Sequence, residues 1–451
     1  MKAYSLGRQR LSAKGASAAL PFFQRAVQLD PDFATAYAAI AVAYNNLHEA
    51  ALTSENARKA YTLREKVSER ERLHIESMYY AWVTGELDKA VQLYEVWQQI
   101  YPRHATAYNN LGVIYLNLGK YENALGQFWQ AQRLDPNVAI VYVNLAYANE
   151  CLNRFDEAES VLKQARQRNL QHELLSLGEY ELAFLRGEPS EMSRLVAPAV
   201  QPGVEQTLLS AAANTAAWYG QLSKAEQLTR QAAESAERNR AKEAAASYLA
   251  VAVLPEAEAG NRSRARANAD AALFLAKDKD IEAMAALGLA RAGDLRKAEA
   301  LANDLTQNFP ADTLVQHYWL PTIRAALELQ RKNAARAIEL LQAASAYELG
   351  TAVPGFVTSL WPVYVRGQAY LVLGDGEAAV TEFQKFIYHR GLVANFPLGA
   401  LARLGLARAY ALQGDTAKAR TAYQDFLALW KDADPDIPIL KQAKAEYAKL
   451  L

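Results

Sequence analysis

Two glycines followed by a lysine form the stretch of this sequence that comes closest to a phosphate-binding loop. In such a loop the glycine backbone N–H groups hold the phosphates, the lysine neutralises them, and a Ser or Thr binds magnesium. Here six residues separate Gly112 from Gly119, whereas the motif has four, and Tyr121 follows Lys120 in place of the Ser or Thr. We therefore interpret both glycines as packing and capping residues of a helical structure.

Metal ligands and nucleophiles are equally sparse. No two of the six histidines stand three to five residues apart, the spacing at which two imidazoles on one helix share a metal ion. Cys151 is the only cysteine, which excludes an internal disulfide and a site built from several thiolates. A catalytic thiol also needs a positioned base, and none stands near Cys151. We predict no catalytic residue, no metal site and no cofactor, and hence a protein that is not an enzyme.

The charge balance bears on the kind of partner. Lys and Arg together number 49, as do Asp and Glu, so no net positive field attracts a nucleic acid. No apolar run reaches the about 18 residues that a membrane-spanning helix needs, and the first residues lack the apolar core of a secretory signal. We predict a chain without a membrane span and without a direct nucleic-acid partner. We expect it in the cytoplasm, or outside it if a membrane-spanning parent protein exists.

A repeat of 34 residues organises the chain. Ala90, Ala124 and Ala158 stand 34 residues apart, and a large apolar residue follows each of them four positions later, as Phe128 follows Ala124. Within a unit, apolar residues recur at spacings of three and four on two segments, which indicates a pair of amphipathic helices. Gly and Pro number 22 and 15, about 8% of the chain against a usual share of roughly 12%, which also favours helix. Each unit is therefore predicted to be a helical hairpin.

The unit at residues 105–138 resembles the tetratricopeptide repeat, whose pattern is W-x2-L-G-x2-Y, then A-x3-F, then P. The matching residues, with tyrosine at the tryptophan position, are Tyr108, Leu111, Gly112, Tyr115, Ala124, Phe128 and Pro136. Gly112 and Ala124 are small enough for two helices to cross closely, Gly119 suits a left-handed helix end, and Pro136 stops the second helix.

The resemblance extends over nearly the whole chain and implies an all-α, right-handed superhelical solenoid of about twelve hairpins. A capping helix at 437–451 is predicted to close it. We divide the solenoid into an N-terminal array at 1–172, strongest at 71–172, a divergent array at 173–312, and a C-terminal array with enlarged loops at 313–451.

Three irregularities interrupt the repeat. About three extra residues are assigned to a polar loop near Glu49 to Glu55, and about six extra residues to the stretch from Tyr388 to Leu398. Pro321 lies inside an expected first helix, where it removes a backbone hydrogen bond. We predict a kink or a late helix start at that proline.

In tetratricopeptide arrays the first helix of each hairpin lines a concave groove, and this resemblance implies a candidate site. The implied peptide- or partner-binding positions are Asn109, Asn110, Val113, Asn117, Asn144, Tyr147 and Glu150. Asn110 and Asn144 stand where peptide-binding members of the family contact the ligand backbone, and a carboxamide both donates and accepts hydrogen bonds. The alternative is that asparagines merely keep the groove hydrated. These positions hold no Lys or Arg cluster, which disfavours an acidic peptide tail.

A second candidate region is aromatic. It surrounds the stretches Tyr347–Phe356 and Tyr388–Leu398, and its members are His317, Tyr318, Trp319, Trp361, Tyr388, His389 and Arg390. Long loops that carry aromatic residues often serve in recognition. The alternative is that these rings pack beneath the enlarged loops.

A narrower resemblance concerns four strings at 68–76, 101–102, 110–115 and 432–441. They are similar to the C-terminal repeat half of bacterial signalling proteins of the acidobacterial type, which carry a serine/threonine kinase or a winged-helix domain ahead of the repeats. Met1 opens within the first helix of a unit, which fits a fragment. We predict a non-catalytic scaffold that binds a protein or an extended peptide in its concave groove. The alternative is the sensor or docking half of a kinase or transcriptional regulator whose effector domain, such as an upstream kinase domain, is absent from this chain.

Overall fold

The computed structural model describes residues 1–197, 204–351 and 359–451, and the regular secondary structure of these ranges is helical. The first half of the chain forms α1 (Lys2–Lys14), α2 (Ala16–Leu29), α3 (Ala34–Asn45), α4 (Ala50–Thr62), α5 (Glu69–Tyr79), α6 (Leu87–Ile100), α7 (Ala105–Asn117), α8 (Tyr121–Leu134), α9 (Ala139–Cys151), α10 (Phe155–Gln167), α11 (Glu173–Arg186), α12 (Pro189–Val196) and α13 (Val204–Trp218). The second half forms α14 (Leu222–Arg238), α15 (Lys242–Ala259), α16 (Arg262–Leu275), α17 (Lys279–Arg291), α18 (Leu295–Asn308), α19 (Leu320–Gln330), α20 (Ala334–Leu341), α21 (Trp361–Leu373), α22 (Gly376–Tyr388), α23 (Arg390–Val393), α24 (Leu398–Leu412), α25 (Thr416–Leu429) and α26 (Pro438–Ala448).

Consecutive helices pair into hairpins, and the described ranges contain twelve of them. The first eleven run from α1 with α2 to α21 with α22, and α24 with α25 form the twelfth. The short helix α23 lies between the last two hairpins, and α26 packs against α25 and α15. The predicted all-α solenoid of about twelve hairpins with a closing helix is thereby confirmed.

The fourth hairpin, α7 with α8, shows why this sequence folds in this way. A Cβ atom added to Gly112 would lie 2.4 Å from Cε1 of Phe128, so only glycine lets the ring of Phe128 reach the backbone of α7. Gly119 ends the turn with φ at 71°, a conformation that costs glycine little. Pro136 follows the last residue of α8, Leu134, and prevents the helix from continuing.

One of the three predicted irregularities occurs as expected, and the one at Pro321 takes a different form. Helical structure begins at Thr313, where the Asp312 carboxylate accepts hydrogen bonds from the N–H groups of Leu314 and Val315. It continues through the π-helix Val315–Trp319 into α19, so Pro321 lies inside a continuous helical segment, directly after the wider π-helical turn. The predicted late helix start is therefore wrong, and a π-helical turn precedes the proline instead. The extra residues after Tyr388 form α23 and the segment that leads to α24.

The prediction of a polar loop enlargement near Glu49 to Glu55 is wrong. Residues 50–55 belong to α4, which begins 16 residues after the start of α3, just as α8 begins 16 residues after the start of α7. The extra length lies instead in the 3-10 turn Arg64–Lys66 and in the π-helix Tyr80–Thr84, which prolongs α5. The polar composition was misleading because Thr53 and Asn56 are buried and donate to carbonyl groups of their own helical turn.

The solenoid coils so that its third to seventh hairpins lie against its later hairpins. Backbone hydrogen bonds join Thr313 N–H to the Gly85 carbonyl at 2.9 Å, Thr351 N–H to the Leu116 carbonyl at 3.2 Å, and Asp434 N–H to the Gly220 carbonyl at 3.0 Å. Thr313 and Thr351 lie between two hairpins and Asp434 lies between the twelfth hairpin and α26, whereas the second partner of each pair lies at a turn within a hairpin. We call the side of the solenoid that carries the turns within hairpins the turn edge. The opposite side carries the connections between hairpins, and we call it the loop edge. The contact between the two edges is called the seam.

Candidate functional site

Three asparagines on the inner helices of the fourth and fifth hairpins form a hydrogen-bonded row. Asn144 Nδ2 donates to Asn109 Oδ1 at 2.9 Å, Asn109 Nδ2 donates to Asn110 Oδ1 at 3.1 Å, and Asn110 Nδ2 donates to the hydroxyl of Tyr94 at 3.3 Å. The row thus crosses from α9 to α7 and then to α6. We call these three residues the asparagine ladder.

The repeat itself places the ladder. Asn110 and Asn144 are one period apart, so they occupy the same position on neighbouring inner helices. Tyr94 is buried at the end of the ladder, and burial raises the pKa of its hydroxyl, which therefore stays protonated. The ladder consequently consists of neutral groups whose orientation depends on one another and on the core.

The ladder retains unused hydrogen-bonding capacity. A carboxamide offers two N–H donors and an oxygen that accepts twice, and within the ladder each residue uses one donor. The oxygen of Asn144 receives no hydrogen bond from any residue in the described ranges. All three side chains are half-buried, as is Val113 one helical turn further along α7. This patch can both donate to and accept from the amide groups of a peptide backbone.

The other three predicted positions lie at the seam. The hydroxyl of Tyr147 is 3.1 Å from Oγ1 of Thr351. The carbonyl of Asn117 lies so close to Gly350 that a Cβ atom there would be 2.2 Å from its oxygen. Glu150 is buried, and its Oε1 has no hydrogen-bond partner among the residues that the structure describes. The structure therefore brings Asn109, Asn110, Val113 and Asn144 into one patch, and it places Asn117, Tyr147 and Glu150 beside or beneath the second coil of the solenoid.

Glu150 belongs to a buried acidic pair that the sequence analysis missed. Burial raises the pKa of Glu150 well above its usual range, and the nearby carboxyl of Glu181 raises it further. Burial also raises the pKa of Glu181 to about 8. Helix α23 covers this region, and the backbone of Gly391 contacts the carbonyl of Glu150. Burial therefore favours the neutral form of both carboxyl groups. The spacing of 31 residues between them differs from the repeat period, so the sequence pattern did not reveal the pair.

The aromatic candidate region consists largely of packing contacts. Tyr318 and Trp361 are buried, and the hydroxyl of Tyr318 accepts a hydrogen bond from the backbone N–H of Trp361 at 3.2 Å. The guanidinium of Arg390 lies 4.9 Å from the centre of the Phe155 ring and donates to the Leu185 carbonyl across the seam. Within the described ranges, these contacts agree with rings that pack beneath enlarged loops. The end of the predicted irregular stretch Tyr347–Phe356 lies outside the described residues.

Two further properties of the described residues bear on the kind of site. Among the residues that the structure describes, no group of three or more His, Cys, Asp or Glu side chains is arranged to hold a metal ion. In the same part of the chain, no helix combines the length and the apolar character needed to cross a membrane.

Comparison with known protein families identifies the repeat. Family models described as tetratricopeptide repeat match residues 105–138, which are the fourth hairpin and its flanks, and residues 364–436, which span most of the eleventh and twelfth hairpins. The chain therefore contains tetratricopeptide repeats, as the resemblance of its sequence implied.

Several solved structures are similar to this chain at low sequence identity. Pseudomonas aeruginosa PilF is 22% identical with a TM-score of 0.30, and the match covers 43% of this chain and 87% of PilF. YrrB, a tetratricopeptide repeat protein with an unusual peptide-binding site, is 20% identical with a TM-score of 0.25, over 38% of this chain and 88% of YrrB. Yeast Tom70 is 14% identical with a TM-score of 0.29, over 84% of this chain and 95% of Tom70. No curated protein sequence matches the chain.

Proposed function

We propose that the chain is a protein-binding scaffold that holds an extended peptide against the inner helices of its fourth and fifth hairpins, without catalysing a reaction. The observation that carries this proposal is the asparagine ladder, in which Asn109, Asn110 and Asn144 orient one another and retain free donors and an acceptor. A ladder that is already ordered loses little side-chain entropy when a ligand binds.

The chemistry of the ladder favours recognition of the peptide main chain. Carboxamides are neutral and pair equally well with an amide N–H or with a carbonyl group, whereas an acidic peptide tail requires cationic side chains. None of the seven predicted inner positions carries Lys or Arg. We therefore infer a ligand that is held through its backbone in an extended conformation, with Val113 offering one apolar contact beside the ladder.

Selection of peptides from a random display library on the purified chain tests the proposal. The selected peptides are then measured against the wild-type chain and the double variant Asn110→Ala/Asn144→Ala. Asn123→Ala, an exposed asparagine on the outer helix α8, is the matched control. We expect the double variant to bind about tenfold to a hundredfold more weakly, because two hydrogen-bonding groups are lost at a half-buried surface.

A second comparison separates backbone recognition from side-chain recognition. Each selected peptide is remade with N-methyl groups at single backbone amides, which removes one N–H donor at a time. Loss of affinity at particular amides, in the wild-type chain only, supports a ladder that binds the main chain. Peptides that tolerate every N-methyl group and bind the double variant normally would overturn the proposal.

A further inference from the structure

One position of the repeat is covered by other parts of the chain in some hairpins and exposed to solvent in others. This position stands two residues before the left-handed residue that ends the first helix, and it lies on the turn edge. In the fifth, sixth and seventh hairpins it holds Cys151, Leu185 and Trp218, which are 2%, 8% and 8% exposed. In the eleventh and twelfth hairpins it holds Val372 and Leu412, which are 61% and 49% exposed.

The seam shows what covers this position in the earlier hairpins. A Cβ atom added to Gly399, near the start of α24, would lie 2.3 Å from Cζ3 of Trp218. The indole N–H of Trp430 donates to the Trp218 carbonyl at 2.9 Å. Residues of the loop edge, from a later coil of the solenoid, therefore cover the apolar side chains of the turn edge. The turn edge is shaped to receive a loop edge.

In the eleventh and twelfth hairpins the turn edge receives no such cover within the described part of the chain. Leu373, beside Val372, is 52% exposed. A Cβ atom added to Gly374 or to Gly414 would find no described atom within 4 Å. An apolar strip of Val372, Leu373 and Leu412 therefore faces solvent, and we call it the bare turn edge.

The loop edge of the first and third hairpins is also bare. Leu29 and Ile100, the last residues of α2 and α6, are 64% and 46% exposed. The seam covers the end of α25, where Trp430, directly after the helix, is 3% exposed and Leu429, at the repeat position of Leu29 and Ile100, is half-buried. One molecule thus carries an uncovered turn edge near one end and an uncovered loop edge near the other.

We infer that the bare turn edge docks onto the loop edge at Leu29 and Ile100 of a second copy of this chain, in the manner in which the two edges meet at the seam. The two surfaces differ, so the contact is head to tail and leaves one edge free on each outer copy. Such a contact builds open-ended assemblies rather than closed dimers. The formal net charge of zero removes the long-range repulsion that would keep copies apart.

Sedimentation velocity on the full chain, over a concentration series up to about 1 mM, tests this inference. We expect the average mass to rise steadily with concentration in the wild-type chain. The tail variant Val372→Glu/Leu412→Glu places charges on the bare turn edge and should remain a monomer. Trp129→Glu is the control, because it adds a charge at a partly exposed aromatic on the outer helix α8 and should assemble like the wild-type chain.

A mixing experiment distinguishes a head-to-tail contact from other modes of association. The head variant Leu29→Glu/Ile100→Glu is expected to be monomeric alone, as is the tail variant. An equimolar mixture should form dimers and stop there, because only one productive pair of edges remains. Circular dichroism verifies that every variant is folded. A wild-type chain that stays monomeric throughout, or a tail variant that assembles normally, would overturn the inference.

Discussion

Asn153 and Gly391 are 238 residues apart in sequence, and the side chain of one binds the backbone of the other. The Oδ1 atom of Asn153 accepts a hydrogen bond from the Gly391 N–H at 2.9 Å, and its Nδ2 donates to the Tyr388 carbonyl at 2.7 Å. Asn153 has φ at 60° and stands where the turns on either side have Gly119 and Gly187. Asparagine tolerates this conformation and adds a side chain that fastens α23 to the fifth hairpin.

Replacement of Asn153 by glycine should loosen the seam while keeping the turn. Glycine adopts the left-handed conformation readily, but it cannot make either hydrogen bond. We expect a loss of about 1–3 kcal/mol at this contact, the sum for two hydrogen bonds. The measurements are the melting temperature and the hydrogen exchange rate of the Gly391 amide, which should become faster.

Asn169→Gly is the matched control for this change. Asn169 is also left-handed, with φ at 55°, but it is exposed in the connection between α10 and α11. It reports the intrinsic effect of an asparagine-to-glycine change at positive φ. Equal shifts in melting temperature for the two variants, with unchanged protection of Gly391, would show that the Asn153 contacts contribute nothing.

Gly112→Ala should destabilise the fourth hairpin. The added Cβ atom would lie 2.4 Å from the Phe128 ring, so the two helices must move apart or the ring must leave its place. We expect a loss of about 1–3 kcal/mol, typical of overpacking in a core. Gly126→Ala in α8 is the control, because no described atom lies within 4 Å of the new Cβ atom. That control should be neutral or more stable by roughly 0.5–1 kcal/mol, and similar losses in both variants would contradict the packing argument.

Glu181→Gln should make stability less sensitive to pH. Burial raises the pKa of Glu181 in the folded chain to about 8, above its ordinary value of 4.5, so the unfolded chain loses this proton at a lower pH than the folded chain does. The contribution of this carboxyl to the free energy of unfolding is fully present below pH 4.5 and is lost as the pH rises through 8. At pH 9 the variant should be more stable than the wild-type chain by at least about 1.4 kcal/mol, the equivalent of one pKa unit.

Thermal melts at pH 5, 7 and 9 measure this effect. The advantage of Glu181→Gln should grow with pH, whereas Glu157→Gln, an exposed carboxyl of α10, should show no such trend. A constant difference between wild type and Glu181→Gln across the series would mean that the buried pair does not titrate in this range.

The local elements of the fold could be predicted because their causes are local. Small residues at the helix crossing, a left-handed residue at each turn and a proline beyond the second helix all act within one period. Pro321 marked an irregular helix for the same reason, and a π-helical turn precedes it. The prediction of a loop at Glu49 to Glu55 was wrong because polar composition is common to loops and to some helices. In α4 the polar side chains donate hydrogen bonds to carbonyl groups of their own helical turn. The division into three arrays and the parent signalling protein stay predictions.

The candidate site likewise has a part that the repeat period predicted and a part that it did not. One period between Asn110 and Asn144 was enough to predict neighbouring positions on adjacent inner helices, and the ladder contains both. Asn109 was also among the positions that the family resemblance implied, and the structure places it in the ladder. The burial of Glu150 beside Glu181 could not be predicted from the period, because α23 covers that part of the inner face.

The sequence by itself determined the hairpins, their order and the inner position of the ladder, since each depends on contacts within one or two periods. Only the tertiary structure decided which hairpins meet at the seam, because small rotations between successive hairpins accumulate along the solenoid before Asn153 reaches Gly391. That accumulation left Val372 and Leu412 bare and buried Cys151 and Trp218 at the same repeat position.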